Sequence, residues 1–463
     1  MERKNAWAAY AEDDSRVEAF AKAYCDFINN GKTERECVAY GEKLAKAHGF
    51  EDLNAVIRSG RKLEAGARVY VNWMGKSFML FVLGAKPLED GMIILGAHIE
   101  SPRIDVKQNP LYEDGDLAYL DTHYYGGIKK YQWVAMPLAL HGVIIKKNGE
   151  KVPVNIGEDE NDPVFCISDL LIHLAQEQMA KNAKDVVEGE ALNLIVGGRP
   201  LAGEEKDAVK ANVLKLLDDK YGVEEEDFLS AELEIVPAGK ARDMGFDRSM
   251  ILGYGHDDRV CAYPSMMAVL DYEGTPDYTL CCIITDKEEI GSVGATGMAS
   301  HYLENTVAEL YACTADYCEL AVRRCLRNSR MLSSDVSAGY DPNFASAFEK
   351  KNSAFLGRGI CFNKFTGSRG KSGSNDANPE FMASLRKIMD DAGVAFQTAE
   401  LGRVDLGGGG TIAYLCAKYG MNVIDSGIAV LSMHAPYEII SKVDLYEGYR
   451  CYCAFLKGAK PVD

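Results

Sequence analysis

The first fifty residues alternate apolar and polar positions at the spacing of amphipathic helices. Phe20, Tyr24 and Phe27 recur three or four residues apart, and the pattern resumes after the Asn-Gly-Lys break at 30–32. Three runs rich in β-branched and aromatic residues follow: ARVYVNWMG, KSFMLFVLG and GMIILGAH. These runs predict strands, and the third ends at His98.

The pattern changes over about 105–249. This region contains the strand-like run WVAMPLALHGVII, acidic linkers such as GEDENDP, and the stretch ISDLLIHLAQEQMA at 167–180, which we predict to be a helix. From about 250 onward, short apolar strands alternate with amphipathic helices, a pattern typical of a mostly parallel sheet covered on both faces.

We therefore predict an α/β fold, with a mixed, mostly parallel sheet, helices on both faces and an inserted β-rich domain. The main domain is expected to be discontinuous and to consist of residues 1–104 and 250–463, with the insertion at 105–249. A chain of 463 residues is long enough for two such domains.

Charge and composition narrow the class of protein. Asp and Glu number 69 against 51 Lys and Arg, a net charge of -18, so we expect no nucleic-acid partner. The apolar runs are too short to cross about 30 Å of hydrocarbon, so we expect no membrane span. The start of the chain has no secretory pattern, and the thirteen cysteines are best explained as buried free thiols in a reducing compartment, so we expect a cytoplasmic protein.

Candidate chemistry lies at the ends of predicted strands. His98, residues 286–289 and Asp335 each lie at the carboxyl end of a strand, and His434 follows another. Ligand sites of open α/β sheets form at this edge. A further candidate is HDDR at 256–259. Histidine and carboxylate ligands suit zinc, and two zinc ions can form a hydrolytic centre.

Each piece also has a purely structural interpretation. His98 and His434 could be hydrogen-bonded core histidines. Residues 256–258 could be a turn into a helix, since Pro264 suits a first turn, and Glu288 with Glu289 could form a solvated loop. The metal interpretation is favoured because the pieces are expected to meet at one edge.

Five motifs resemble, in order and spacing, elements of the aspartyl aminopeptidase family of dinuclear zinc metallopeptidases, in its bacterial branch of probable aminopeptidases. They are GAHIESPR, HDDRV, TDKEEIGSVGATG, LSSDVSAGYDPNF and SMHAPYE. The resemblance covers nearly the whole chain, and the insertion lies where the family carries its lid and dimerisation domain. It implies a catalytic main domain.

The resemblance also implies a set of metal ligands. Asp257 would bridge two zinc ions. His98 and Asp335 would complete one site, and Glu289 and His434 would complete the other. Cobalt or manganese could replace zinc, because these ligands suit several metals.

The same motifs imply roles for two further carboxylates. Glu288 would be the general base that takes a proton from the attacking water. The family has an Asp two residues after the first histidine, where it orients the imidazole. This chain has Glu100 there, a longer side chain that could make the same hydrogen bond with altered geometry.

The resemblance is weaker around the specificity pocket. The family element GGGxWHTWFDR corresponds loosely to residues 124–136, where its His and its Asp-Arg pair are missing and Lys129 and Lys130 lie nearby. Lys364 lies near a family position that lines the substrate site. A lysine here could bind an acidic substrate side chain or simply be solvated. Tyr437 replaces a family arginine.

The glycine run in RVDLGGGGT lacks the Lys-Ser/Thr of a phosphate loop, so it does not predict nucleotide binding. The resemblance implies that Gly410 and Thr411 contact substrate through this loop. A structural start to the following helix is an equally good interpretation.

The sequence therefore predicts a zinc-dependent aminopeptidase that hydrolyses the N-terminal residue of peptides, acidic residues among them. By resemblance it would form a homo-oligomer, a dimer that builds a dodecamer. The alternatives are a deblocking aminopeptidase or dipeptidase on the same scaffold, and a non-catalytic scaffold protein. Retention of Glu288 argues against the last, because a protein without activity needs no general base.

Overall fold

The computed structural model describes residues 4–367 and 369–461. Their contacts form two compact units. The first, the core unit, runs up to Glu100 and continues through Ala241–Met433 and from Glu438 onward. The second, the inserted unit, comprises Ser101–Lys240 together with His434–Tyr437.

Within the described residues the structure has eleven α-helices. They are α1 (Ser15–Asn30), α2 (Glu34–Ala47), α3 (Leu53–Ser59), α4 (Gln176–Met179), α5 (Ala208–Tyr221), α6 (His256–Leu270), α7 (Tyr302–Thr314), α8 (Glu319–Asn328), α9 (Pro379–Ala392), α10 (Ala413–Ala417) and α11 (Lys442–Gly458). None of them combines the length and apolar character needed to cross a bilayer.

The same residues form twenty strands. They are β1 (Glu51–Asp52), β2 (Arg68–Trp73), β3 (Ser77–Val82), β4 (Met92–His98), β5 (Arg103–Asp114), β6 (Leu117–Tyr125), β7 (Leu138–Ile145), β8 (Lys151–Ile156), β9 (Leu194–Gly197), β10 (Ala231–Pro237), β11 (Arg242–Met244), β12 (Met250–Gly253), β13 (Thr279–Thr285), β14 (Arg330–Ser334), β15 (Ser337–Ala338), β16 (Ile360–Asn363), β17 (Phe396–Thr398), β18 (Asn422–Gly427), β19 (Ala429–Val430) and β20 (Glu438–Ser441).

A nine-stranded sheet forms the centre of the core unit. Its order is β1-β2-β3-β13-β4-β14-β18-β16-β17. The neighbours β13, β4, β14 and β18 run parallel, as do β1 with β2 and β16 with β17, while the other pairs are antiparallel. The prediction of a mixed, mostly parallel sheet is confirmed.

Alternate side chains of the central strands pack on opposite faces of this sheet. Leu95 and Cys282 join the cluster formed with α1, α2, α6, α9 and α11, whereas Ile94 and Cys281 join the cluster formed with α3, α7, α8 and α10. Burial on both faces explains why these strands are apolar without alternation. Helices therefore cover both faces, as predicted.

The inserted unit is built on an antiparallel sheet of order β8-β7-β10-β5-β6-β9. The helix predicted at 167–180 is wrong. This segment contains one 3-10 turn, Ile172–Leu174, and the single turn α4. The spacing of Ile167, Leu170, Leu171 and Leu174 suits one face of a helix, but Leu170, Leu171 and Leu174 are exposed, so this face packs on nothing that would stabilise a helix.

Candidate metal centre

Three parallel strands deliver the candidate residues to one edge of the core sheet. Strand β4 ends at His98 and lies between β13 and β14. The end of β13 is level with that of β4, since Thr285 pairs with His98, and Glu288 and Glu289 follow within a short turn. Asp335 comes directly after β14. The carboxyl ends of parallel strands meet at one edge, which explains why these side chains converge.

The fourth contribution comes from the start of α6. Gly255 leads into it with a positive φ of 74°, and Asp257 and Asp258 are not helical. The peptide bond between these two aspartates is cis. The prediction that Pro264 belongs to the first turn is wrong: it lies inside α6, because the helix begins earlier, at His256.

The candidate ligand atoms form a tight cluster. His98 Nε2 lies 3.2 Å from Asp257 Oδ1 and 3.9 Å from Asp335 Oδ1. Ligand atoms lie within 4.8 Å of one another in three overlapping groups, which are His98 with Asp257 and Glu289, His98 with Glu288 and Asp335, and Asp257 with Asp258 and Asp335.

Glu100 supports two members of this cluster. Its backbone carbonyl oxygen is 3.0 Å from His98 Nδ1, and its Oε2 is 3.4 Å from the same nitrogen. Its Oε1 accepts a hydrogen bond of 2.8 Å from the Glu289 backbone N–H. With Nδ1 donating to Glu100, Nε2 is the nitrogen that faces the carboxylates.

The pKa values report an excess of negative charge in apolar surroundings. Burial raises the pKa of Asp335 well above its usual range, and the Glu288 carboxylate adds to the rise. Burial likewise raises the pKa of Asp258, as does its neighbour Asp257. Burial alone would lower the pKa of His98, but the carboxylates of Glu100, Asp257 and Asp335 outweigh it and raise that pKa. Bound cations would relieve all three shifts.

The residues present fit a divalent metal on chemical grounds. One imidazole nitrogen and several carboxylate oxygens converge within ligand-sharing distance, and zinc accepts both kinds of donor. By contrast, His256 is a neutral core histidine: its Nδ1 is 2.7 Å from Tyr24 Oη, and burial lowers its pKa to about 3.

His434 belongs to the inserted unit. Its backbone is left-handed, with φ 64°, and its Nδ1 lies 3.0 Å from the carbonyl oxygen of Gly127 in the same unit. As in His98, a backbone carbonyl occupies Nδ1, which makes Nε2 the nitrogen suited to a metal.

The predicted substrate residues lie on loops. Lys364 follows β16, is 45% exposed and pairs with Asp376 at 3.6 Å. Gly410 has open space where a Cβ would be. Thr411 Oγ1 donates a hydrogen bond of 2.6 Å to Asp425 Oδ1.

Two residues of the site escaped the sequence-based assignment. Asp258 belongs to one ligand group and its Oδ2 accepts from the His98 backbone N–H at 3.4 Å. Glu438 is buried, and its Oε2 accepts from the Asp257 backbone N–H at 2.9 Å. Both residues lie within motifs quoted above: Asp258 is the second aspartate of HDDRV, and Glu438 is the last residue of SMHAPYE. Their places in these motifs could have indicated a role at the site.

The core unit has an α/β fold in which histidine and carboxylate side chains meet at the carboxyl ends of the strands. This arrangement is typical of metal-dependent hydrolases. Comparison with known proteins gives the family. Residues 27–456 match the family described as aminopeptidase I zinc metalloprotease (M18), and the chain belongs to it. This confirms the resemblance seen in the motifs, and the enzyme class is that of zinc-dependent metallo-exopeptidases.

The chain is similar to known relatives along nearly its full length. A probable M18 family aminopeptidase 1 of Clostridium acetobutylicum is 58% identical over 458 residues, 98% of each chain. One of Thermotoga maritima is 43% identical over 99% of each. The crystal structure of the Thermotoga maritima M18 aminopeptidase covers 99% of this chain and 100% of its own, with a TM-score of 0.94 and 42% identity. The S. cerevesiae mApe1 dodecamer, 21% identical with a TM-score of 0.76, covers 96% of this chain and 97% of its own and shares the fold.

Proposed function

We propose that this zinc aminopeptidase releases single N-terminal residues from peptides with two zinc ions per chain and Glu288 as the general base. The observation that carries the proposal is the position of Asp257, which lies within ligand distance of Glu289 in one group and of Asp335 in another, and so reaches ligands proposed for both ions. A carboxylate has two oxygens, so one that lies near both sets of ligands is suited to bridge two metals.

The ligand assignment follows from the same groups and from the motifs. His98 and Asp335 would hold one zinc ion, and Glu289 and His434 the other, with Asp257 between them. His98 and Asp335 share one group, and Asp257 and Glu289 share another that also includes His98, so the division between the two ions rests on the motifs. The assignment of His434 rests on its motif and on the carbonyl contact at its Nδ1.

The zinc ions and the side chains of the protein would contribute different parts of the reaction. When bound, the zinc ions would lower the pKa of a water molecule and polarise the scissile carbonyl. The Glu288 carboxylate would accept the proton of the attacking water and return it to the departing amine. Its place in a ligand group with His98 and Asp335 puts it close enough to act there.

Substrate would bind along the glycine run that ends at Gly410 and Thr411. Open space at Gly410 would allow a peptide to approach its backbone closely. Lys364 would select among substrates, and because it pairs with Asp376 we expect only a modest preference for acidic residues.

We further propose that residues 105–249 act as the lid and dimerisation domain of a cytoplasmic homo-oligomer. Exposed apolar side chains are concentrated in the inserted unit, at Leu170, Leu171, Ile172, Leu174 and Met179. Such a patch is typical of an interface. A dodecamer like that of the distant mApe1 relative is the assembly we expect. Thirteen cysteines without a disulfide suit a reducing compartment.

The central test compares wild type with Glu288→Gln. Metal content, and release of Glu, Asp, Leu and Lys from chromogenic aminoacyl substrates, would be measured with and without chelator. We expect two metals per chain in both proteins, chelator-sensitive release by wild type, and a loss in the variant of about 10²–10⁴-fold in kcat. Because Gln preserves the shape of Glu but accepts no proton, a normal rate would overturn the general-base assignment.

Blocked peptides and dipeptides, assayed beside the chromogenic panel, separate the alternatives. Release from blocked peptides or dipeptides alone would indicate a deblocking aminopeptidase or a dipeptidase. A wild-type protein with two metals that hydrolyses nothing would indicate a scaffold.

The oligomer is tested by Leu171→Asp with Ile172→Asp. Charges in a buried apolar interface are costly, so light scattering should show a smaller particle. Leu320→Asp in α8 is the matched control, because Leu320 is 54% exposed, like Leu171, but lies in the core unit. Equal effects of both changes, or no change in mass, would contradict this interface.

A further inference from the structure

One buried carboxylate of the core unit has no role in the chemistry described so far. Asp425 lies in β18, within the buried run VIDSG, and is 2% exposed. Its Oδ1 accepts a hydrogen bond of 2.6 Å from Thr411 Oγ1. Its Oδ2 is buried and accepts no hydrogen bond from the residues that the structure describes.

A carboxylate is an unfavourable choice for this position if it serves the fold alone. Burial raises the pKa of Asp425 to about 7, although the Thr411 hydrogen bond opposes the rise. A half-satisfied buried carboxyl costs free energy that an apolar residue in the strand would avoid. The role of Asp425 is therefore best sought in its one side-chain hydrogen bond, which it accepts from Thr411.

Thr411 ends the glycine run at 407–410. Its Oγ1 also accepts from the backbone N–H of Ala413, the first residue of α10, at 3.3 Å. Earlier in the run, the Gly409 N–H donates to the carbonyl oxygen of Thr366 at 3.1 Å. Glycine backbones are intrinsically mobile, so these contacts limit where the run can lie.

The strand that carries Asp425 also contacts the metal rim, the edge of the core sheet at which His98, Glu289 and Asp335 lie. Strand β18 pairs in parallel with β14, and the Asp335 backbone N–H donates to the carbonyl oxygen of Ser426 at 2.9 Å. The Thr411 contact and the contact to a candidate metal ligand are thus made by adjacent residues of one strand. A displacement of the glycine run relative to the rim would require the Asp425–Thr411 hydrogen bond to break.

We propose that Asp425 is a positioning residue for substrate binding: through Thr411 it sets the place of the glycine run relative to the metal rim. This inference rests on the proposed function, in which the glycine run contacts the peptide. Asp425 touches no reacting atom, so its loss should weaken substrate binding more than it slows the chemical step.

The test is a double-mutant cycle of Asp425→Ala and Thr411→Val on the metal-loaded enzyme, with kcat and KM measured on the best aminoacyl substrate. Valine keeps the branched shape of threonine and removes the hydroxyl. We expect each single change to raise KM about tenfold with kcat changed less than about threefold, and the double change to be no worse than the larger single one. Asp425→Asn keeps an oxygen acceptor and should restore most of the wild-type KM.

Ser333→Ala is the matched control. Ser333 pairs with Asp425 across the strands, and its Oγ is likewise buried and without a hydrogen bond among the described residues. It should leave KM and kcat unchanged. Equal effects of Ser333→Ala and Asp425→Ala, additive effects in the cycle, or a normal KM in Asp425→Ala would each overturn the inference.

Hydrogen exchange of the amides from Gly408 to Ala413 gives a readout that needs no activity. We expect faster exchange in Asp425→Ala and Thr411→Val but not in Ser333→Ala. If wild type proves inactive, faster exchange would still support the positioning of the loop while the proposed function fails. Unchanged exchange would overturn the positioning itself.

Discussion

The candidate metal ligands on the core sheet and the loops proposed to bind substrate both lie in the core unit but are held differently. At the rim, His98 is 1% exposed and every candidate ligand named on the core sheet follows a strand end or begins a helix. On the loops, Lys364 is 45% exposed, and its nearest charged partner, Asp376, is equally accessible. The groups proposed to bind metal are therefore held largely by the register of the core strands, and the lysine proposed to select substrate is held by surface contacts.

This difference predicts how each region responds to change. Buried charged groups depend on their neighbours, because no water replaces a lost partner. Exposed ion pairs contribute little, since water and salt screen them. Substitutions at the rim should therefore have large effects on metal binding and rate, and substitutions on the loops should have small effects confined to selectivity.

The largest effect is expected for Asp257→Asn. Loss of the bridging carboxylate charge should lower bound zinc from two ions per chain to one or none and abolish measurable release. Metal analysis after dialysis, together with the aminoacyl panel, checks this. Asp271→Asn is a suitable control, because Asp271 caps the other end of α6. Two retained metals in Asp257→Asn would show that Asp257 is not a bridge.

An intermediate effect is expected for Glu100→Ala. The variant keeps every proposed ligand but removes the carboxylate that lies 3.4 Å from His98 Nδ1 and accepts from the Glu289 N–H. We expect metal affinity to fall about 10–100-fold, as is typical when a residue that orients a ligand is lost. Competition with a calibrated chelator measures it.

Glu100→Asp, which restores the residue usual in the family at this position, should recover part of that affinity. Wild-type affinity in Glu100→Ala would show that the Glu100 backbone carbonyl alone orients His98.

The smallest effect is expected for Lys364→Ala. The ratio of kcat/KM for Glu over Leu substrates should fall by no more than about fivefold, with the Leu rate unchanged, because the lysine is exposed. Asp376→Asn should raise the same ratio slightly by removing the competing carboxylate. Lys371→Ala is the control, since Lys371 pairs with Asp376 at 3.2 Å but carries no proposed role. A larger change in the Leu rate than in the Glu rate would contradict a role for Lys364 in selectivity.

The sequence pattern predicted the core sheet more successfully than the inserted unit. Strands buried on both faces are continuous apolar runs with clear ends, so GMIILGAH and TLCCIIT identified β4 and β13 and placed His98 and Glu288 at strand ends. In ISDLLIHLAQEQMA the apolar residues are numerous, but most of them face solvent, among them Leu170, Leu171 and Leu174. The helical spacing of these residues therefore predicted a helix, but most of that face has no packing partner within the described residues.

The contacts between single residues of the site were also beyond what the sequence pattern could predict. The motifs named His98, Asp257 and Asp335, but nothing in VIDSG indicated that Asp425 would bond to Thr411. Glu438 likewise contacts Asp257 across 181 positions of sequence. Such pairs depend on which strands become neighbours, and local periodicity carries no information about that.

By itself, the sequence determined the class of fold, the family and the residue types available for a metal centre, because hydrophobic period and motif spacing are local properties. Only the tertiary structure decided which carboxylates share a ligand group, which residues orient them and where the glycine run lies. Those depend on the order and register of β13, β4, β14 and β18, which bring together residues far apart in the chain. The distances of 3 to 5 Å that decide metal binding arise only from that packing.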